Sequence, residues 1–121
     1  MSKILVVDDE EHVRLLYSEV LKEAGYEVAT AGGGYDLLKR IEEEKPDLVI
    51  LDIKMGDYNG LAILQDIRNH FYDLPVILST AYDSFKEDMK SIAADFYVLK
   101  SSDLTELKEK IAMALETKLP G

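Results

Sequence analysis

The stretch that decides the fold is "PDLVILD", residues 46–52. Four consecutive apolar residues, Leu48 to Leu51, stand between a proline and a carboxylate. A half-buried strand would alternate apolar with polar residues. A run apolar at every position fits a strand covered on both faces, which is the habit of parallel sheets. Pro46 lies just ahead of the run, where a missing N–H donor does least harm to a sheet.

Runs of the same kind recur along the chain at Ile4–Val7, Val28–Thr30, Val76–Ser79 and Phe96–Leu99. Between them the spacing becomes helical. Val13, Leu16, Tyr17, Val20, Leu21 and Ala24 follow the i, i+3, i+4, i+7 rule. Leu61, Leu64, Ile67 and Arg68 follow it more loosely, and Leu104, Leu107, Ile111 and Leu115 form a last stripe. Boundary residues agree: Gly25 stands where a left-handed helix terminus is common. Ser84 with Glu87, and Asp103 with Glu106, have capping-box spacing. Five strands alternating with five helices predict an α/β domain, a parallel sheet with helices on both faces.

The bulk numbers bound what such a domain does. At 121 residues the chain forms one domain, 1–121, with "KLPG" at its end, 118–121, reading as a frayed tail or the start of a linker. A net charge of −10 opposes direct binding to nucleic acid and to acidic membranes. The absence of cysteine excludes disulfides and thiolate metal sites. No run reaches the ~18 apolar residues of a membrane helix, so a soluble, cytoplasmic protein is expected.

Open α/β sheets bind ligands beyond the carboxyl ends of their strands. There the sequence places Asp8 and Asp9 after the first strand, Asp52 after the third, Thr80 after the fourth and Lys100 after the fifth. In "KILVVDDEEHV" (residues 3–13) an apolar run ends in four carboxylates side by side. Two such charges 4 Å apart repel by on the order of 4 kcal/mol at an effective dielectric of about 20. A hard divalent cation relieves that repulsion, and Mg2+ is held by one or two carboxylates, waters and substrate phosphate. With a lysine and a hydroxyl nearby, the set describes a phosphoryl site with a carboxylate placed to attack. Taken singly, Asp8 or Asp9 is more simply a helix cap or a solvated turn; the five positions together carry the signal.

These residues resemble the response-regulator receiver domains of two-component signalling over essentially the whole chain. "VVDDEE" is similar to the family's acidic pair, and "PDLVILDIKMGDYNG" to its phosphoacceptor segment, with Asp52 and Gly60 in place. "PVILSTAY" supplies the switch hydroxyl Thr80, and "ADFYVLK" the switch aromatic Tyr97 and Lys100. The resemblance implies a flavodoxin-like (βα)5 three-layer sandwich with strand order 2-1-3-4-5. It implies that Asp52 takes a phosphoryl group from a sensor histidine kinase or phosphotransfer protein. Mg2+ would be held by Asp9 and Asp52, by Asp8 through water, and by the carbonyl of Lys54. Lys100 and Thr80 would hold the phosphoryl group, and Tyr97 would turn inward. The surface of the fourth helix, fifth strand and fifth helix would then change towards an output protein or output domain, with dimerisation through that surface allowed for. The resemblance further implies a module that is no enzyme towards a separate substrate but catalyses its own phosphorylation and slow dephosphorylation.

Two positions depart from the family pattern. Gly56 and Ser101 stand where prolines are usual, and the second predicts a trans Lys100–Ser101 bond, since a non-proline cis bond costs roughly 2.5–4 kcal/mol. Bulky Lys54 and Tyr82, each two residues past a reactive group, suggest a long-lived phosphoryl state. With Val13, Tyr17, Val20 and Ala24 inward, Leu15 points outward and offers a docking point for a partner helix. "AGGGYD" (residues 31–36) lacks phosphate-loop spacing and reads as a turn. His12 and His70 are too few and too separated for a transition-metal site; His12 is expected exposed at the start of the first helix and His70 near the end of the third. Rival readings are a phosphohydrolase with an aspartyl intermediate, an FMN binder, and a receiver that has lost phosphorylation. The first lacks room for a cap domain, the second is opposed by the acidic first loop, and the third by the presence of every reactive group.

Overall fold

In the computed structural model the described residues are 2–33, 36–52, 54–55, 58–80, 96–99 and 104–118. Five strands form one sheet: β1 (Lys3–Val7), β2 (Glu27–Ala31), β3 (Leu48–Asp52), β4 (Val76–Thr80) and β5 (Phe96–Leu99). Their spatial order is β2-β1-β3-β4-β5, and every pairing is parallel. Each expected strand is present, extended by at most one residue at an end. The helices are α1 (Glu11–Glu23), α2 (Leu37–Glu44), α3 (Gly60–His70) and a C-terminal helix (Thr105–Lys118). The last runs through Lys118, one residue into the stretch 118–121 expected as a tail; residues 119–121 lie outside the described part. The helix expected after Ser84, the cap at Asp103 and the Lys100–Ser101 bond also lie outside it.

The central strand justifies the reading of its sequence: all five residues of β3 are buried. Alternation divides them between two cores. Val49 and Leu51 pack with Leu37 and Ile41 of α2 and Leu64 and Ile67 of α3. Leu48 and Ile50 pack with Val13, Tyr17 and Leu21 of α1, with Leu104 just before the C-terminal helix and with Leu107 and Ile111 on it. The result is three layers, helix–sheet–helix. Among the described residues no helix is long and apolar enough to cross a membrane.

Gly25 ends α1 as expected, at φ +99°. Tyr26 N–H donates to the Leu21 carbonyl and Gly25 N–H to that of Lys22, the paired bonds of a Schellman terminus. The inward face of α1 differs from the expected one. Val13, Tyr17 and Leu21 are buried, Val20 is half-buried, and Leu16 and Ala24 are exposed. Ala24 is already the C-cap, beyond the last full turn. Arg68, counted in the α3 stripe, instead sends its guanidinium to the carbonyls of Tyr72 and Leu74, fastening the loop before β4. A two-residue ribbon, Lys54–Met55 against Tyr58–Asn59, follows β3 and is too short for a periodic sequence signal.

Candidate functional site

Strand register brings Asp8, Asp52 and Thr80 to one sheet edge. Val7 of β1 is level with Leu51 of β3, so Asp8 leaves β1 beside the position of Asp52. Asp52 is level with Ser79 of β4, Thr80 is the next residue, and Thr80 is level with Leu99 of β5. Lys100 follows Leu99 directly in sequence and lies outside the described residues, as do Gly56, Tyr82 and Ser101. Thr80, Tyr97 and Lys54 are placed by their backbone: the end of β4, the second residue of β5, and the ribbon position paired with Asn59.

The acidic turn is held by its backbone. Asp8 N–H donates to the Ala31 carbonyl at 3.1 Å, continuing the ladder with β2 past the end of β1. Its carbonyl accepts from Arg14 Nη1 at 2.7 Å. Its carboxylate Oδ1 accepts from Glu10 N–H at 2.9 Å, closing an Asx turn immediately before α1. The side chain of Asp8 is therefore fixed, with the residue only 2% exposed, while Asp9 and Glu10 reach solvent. One carboxylate oxygen from each of Asp8, Asp9 and Glu10 lies within 4.8 Å of the other two.

That grouping differs in membership from the expected one of Asp8, Asp9 and Asp52. Glu10 enters because the Asx turn curls the chain back over Asp8; its carboxylate also lies 3.2 Å from His12 Nε2. Asp52 stands on the neighbouring strand, 4% exposed, and is not one of the three. A set of oxygen donors without nitrogen or sulfur is the chemistry a hard divalent cation takes, so the residues fit Mg2+.

Asp52 ends the half of β3 that faces α1, since Leu48 and Ile50 before it pack on that side. Ser79 follows Ile77 of the same cluster and so shares that face. Its hydroxyl lies 3.3 Å from the Tyr17 hydroxyl on α1. Sequence reasoning read Tyr17 as packing alone; no spacing rule relates it to a serine 62 residues away. On the outer side of α1, Leu15 is 63% exposed, as expected. His12 is exposed at the start of α1 and meets the acidic turn through the Glu10 carboxylate, whereas His70 ends α3 with Nδ1 2.9 Å from the Asp66 carbonyl.

Against known proteins, the family model for the response regulator receiver domain matches residues 4–112. The chain is 35% identical to regulatory protein AtoC of Escherichia coli over 96% of its own length and 26% of that protein's. It is 32% identical to sporulation initiation phosphotransferase F of Bacillus subtilis, covering 96% of the chain and 95% of the relative. It thus spans about a quarter of one relative and nearly all of the other. Among solved structures, response regulator TrrA of Thermotoga maritima, in complex with Mg2+-BeF, superposes with a TM-score of 0.89 at 46% identity, covering 94% of this chain and 99% of that one. TrrA in complex with the histidine kinase ThkA gives 0.87 at 48% identity, with 95% and 99% covered.

Proposed function

The chain belongs to the response regulator receiver domain family, and on that premise we propose that it is a cytoplasmic, Mg2+-dependent phosphoryl switch whose acceptor is Asp52. The observation that carries this reading is the pairing of two buried carboxylates, Asp8 just past β1 and Asp52 at the end of the adjacent β3, at the carboxyl edge of the sheet. Burying a charge is costly unless a partner or a bound ion compensates it. Two side by side offer the oxygen donors that a hard divalent cation would take.

In the proposed reaction an oxygen of Asp52 attacks the phosphorus of a phosphohistidine. The P–N bond breaks as the acyl phosphate forms, and the histidine leaves. Asp9 and Asp52 would hold Mg2+ directly, Asp8 through water, with the Lys54 carbonyl completing the protein ligands. The ion supplies neutralisation of the charge spread over the phosphoryl oxygens. Lys100 pairs with the product as a point charge. Thr80 donates a hydrogen bond to a phosphoryl oxygen, and Tyr97 turns inward behind it, which gives two states for the modification to choose between. The Asx turn keeps Asp8 oriented throughout, because its Oδ1 is fixed by the Glu10 N–H.

The donor is a sensor histidine kinase or phosphotransfer protein, supported by the kinase complex of TrrA. Leu15 on α1 is the docking point we assign to it. The output is a partner protein or a domain outside this stretch. Incubation with acetyl phosphate and Mg2+ followed by intact mass tests the acceptor. The wild-type chain gains one phosphoryl mass, and Asp52→Asn gains none. No adduct on the wild type, or an equal adduct on Asp52→Asn, overturns the assignment.

A further inference from the structure

The Tyr17–Ser79 contact has no part in the chemistry above. Tyr17 is 3% exposed in the middle of α1, and Ser79 is 1% exposed on β4. Their hydroxyls meet in a cluster otherwise built of Ile4, Val6, Leu21, Ile50, Ile77 and similar side chains. A buried hydroxyl pair contributes little net stability over apolar groups of the same shape. Packing therefore does not explain why two polar atoms were placed here.

Their position does. Ser79 is the register partner of Asp52, on the same face of the sheet, and Thr80 is the next residue. Side chains level with one another on adjacent strands, which lie about 4.8 Å apart, are immediate neighbours. The Tyr17 hydroxyl thus reaches the strand segment that carries both the acceptor's neighbour and the switch hydroxyl. At 3.3 Å the contact is longer than the about 2.7–2.8 Å usual for hydroxyl pairs.

We propose that Tyr17 is a positioning residue which, through the Ser79 hydroxyl, sets where the end of β4 stands beside Asp52 and hence how fast Asp52 takes a phosphoryl group. This rests on the acceptor reading above and adds to it a residue on α1. Tyr17 is assigned a positioning part through its 3.3 Å contact with Ser79. Its effect appears in the rate of the step and not in the affinity for Mg2+.

The test follows acetyl phosphate phosphorylation of the wild type, Tyr17→Phe, Ser79→Ala and the double variant across a Mg2+ series, with a thermal melt of each. Tyr17→Phe and Ser79→Ala are each expected to lower the plateau rate about fivefold, the size of one net hydrogen bond of about 1 kcal/mol. The Mg2+ concentration giving half the plateau stays within about twofold of wild type. The double variant is no slower than the slower single one, because both remove the same contact. Wild-type plateau rates in both single variants overturn the proposal, and so do effects that multiply in the double variant. A lowered melting temperature with an unchanged rate also overturns it, since the pair is then only structural. A wild-type chain that takes no phosphoryl group overturns the acceptor reading and this inference together. A phosphorylated wild type with indifferent variants overturns this inference alone.

Discussion

Beneath α2 and α3 the described core is hydrocarbon from end to end: Leu5, Val7, Leu37, Ile41, Val49, Leu51, Leu64, Ile67, Val76 and Leu78. The opposite face begins in the same way, with Ile4, Leu48 and Leu21, yet the strands that build it end in Ser79 and Asp52, with Tyr17 above them. The same strands serve both faces, so propensity and sheet geometry do not account for the difference. It lies in which side chains alternation sends to each side at the carboxyl edge. One face stabilises the fold along its whole length. The other gives up apolar contact at one end to bring oxygen atoms near a carboxylate.

The largest effect expected of this division is on stability, on the hydrocarbon side. Leu64 is fully buried on α3, and Leu64→Ala removes three carbons and leaves a cavity. A loss of about 2–5 kcal/mol by urea unfolding is expected. Mg2+ affinity should be unchanged wherever the variant is folded. A shift in Mg2+ affinity would mean that the two faces are mechanically joined, which would weaken the comparison.

The second effect is smaller and has the opposite sign for stability. Asn at position 8 can still accept the Glu10 N–H through its amide oxygen, so the Asx turn survives Asp8→Asn. The variant removes one of three carboxylates crowded within 4.8 Å. The metal-free protein should therefore be stabilised, by on the order of 1 kcal/mol once solvent screening by exposed Asp9 and Glu10 is allowed for. Its Mg2+ affinity should fall about tenfold or more, since a metal ligand or its water contact is lost. Isothermal titration and a melt with and without Mg2+ measure both. A destabilised metal-free variant would show that Asp8 is held there for the fold and not for the ion.

How far the molecule could be read from its sequence follows from the range of each interaction. Strands β1 to β5 were legible because a run such as Leu48–Leu51 carries its burial in adjacent letters. The end of α1 was legible because only glycine sits easily at φ +99°. The exposure of Leu16 was not, because a helical stripe wide enough to include it also fits a narrower contact that stops at Tyr17. A rule about strand ends singled out Asp8, Asp9 and Asp52, and the register sets Asp8 beside the position of Asp52. Glu10 was missed, since its entry depends on an Asx turn formed by a neighbour's side chain. The Tyr17–Ser79 pair depends on how α1 lies across β4, a relation between segments 62 residues apart that no local pattern encodes.

The smallest effect on the fold is expected at Leu15, and it sharpens the comparison most. Leu15 and Tyr17 are two residues apart on α1, roughly 200° around the helix, one 63% exposed and the other 3%. Leu15→Asp removes little buried surface, and aspartate within a helix costs about 0.5 kcal/mol relative to leucine, so the melt should hardly move. Phosphorylation by acetyl phosphate, which needs no docking, should keep its wild-type rate. Transfer from a histidine kinase that phosphorylates the wild-type chain should slow about tenfold, because an apolar contact is replaced by a charge that must be desolvated on docking. Tyr17→Phe should show the reverse dependence, slowing acetyl phosphate and kinase alike. If Leu15→Asp also slowed acetyl phosphate, the outer side of α1 would reach the proposed acceptor as the inner side is proposed to. The division between a face that recruits and a face that positions would then be lost within this one helix.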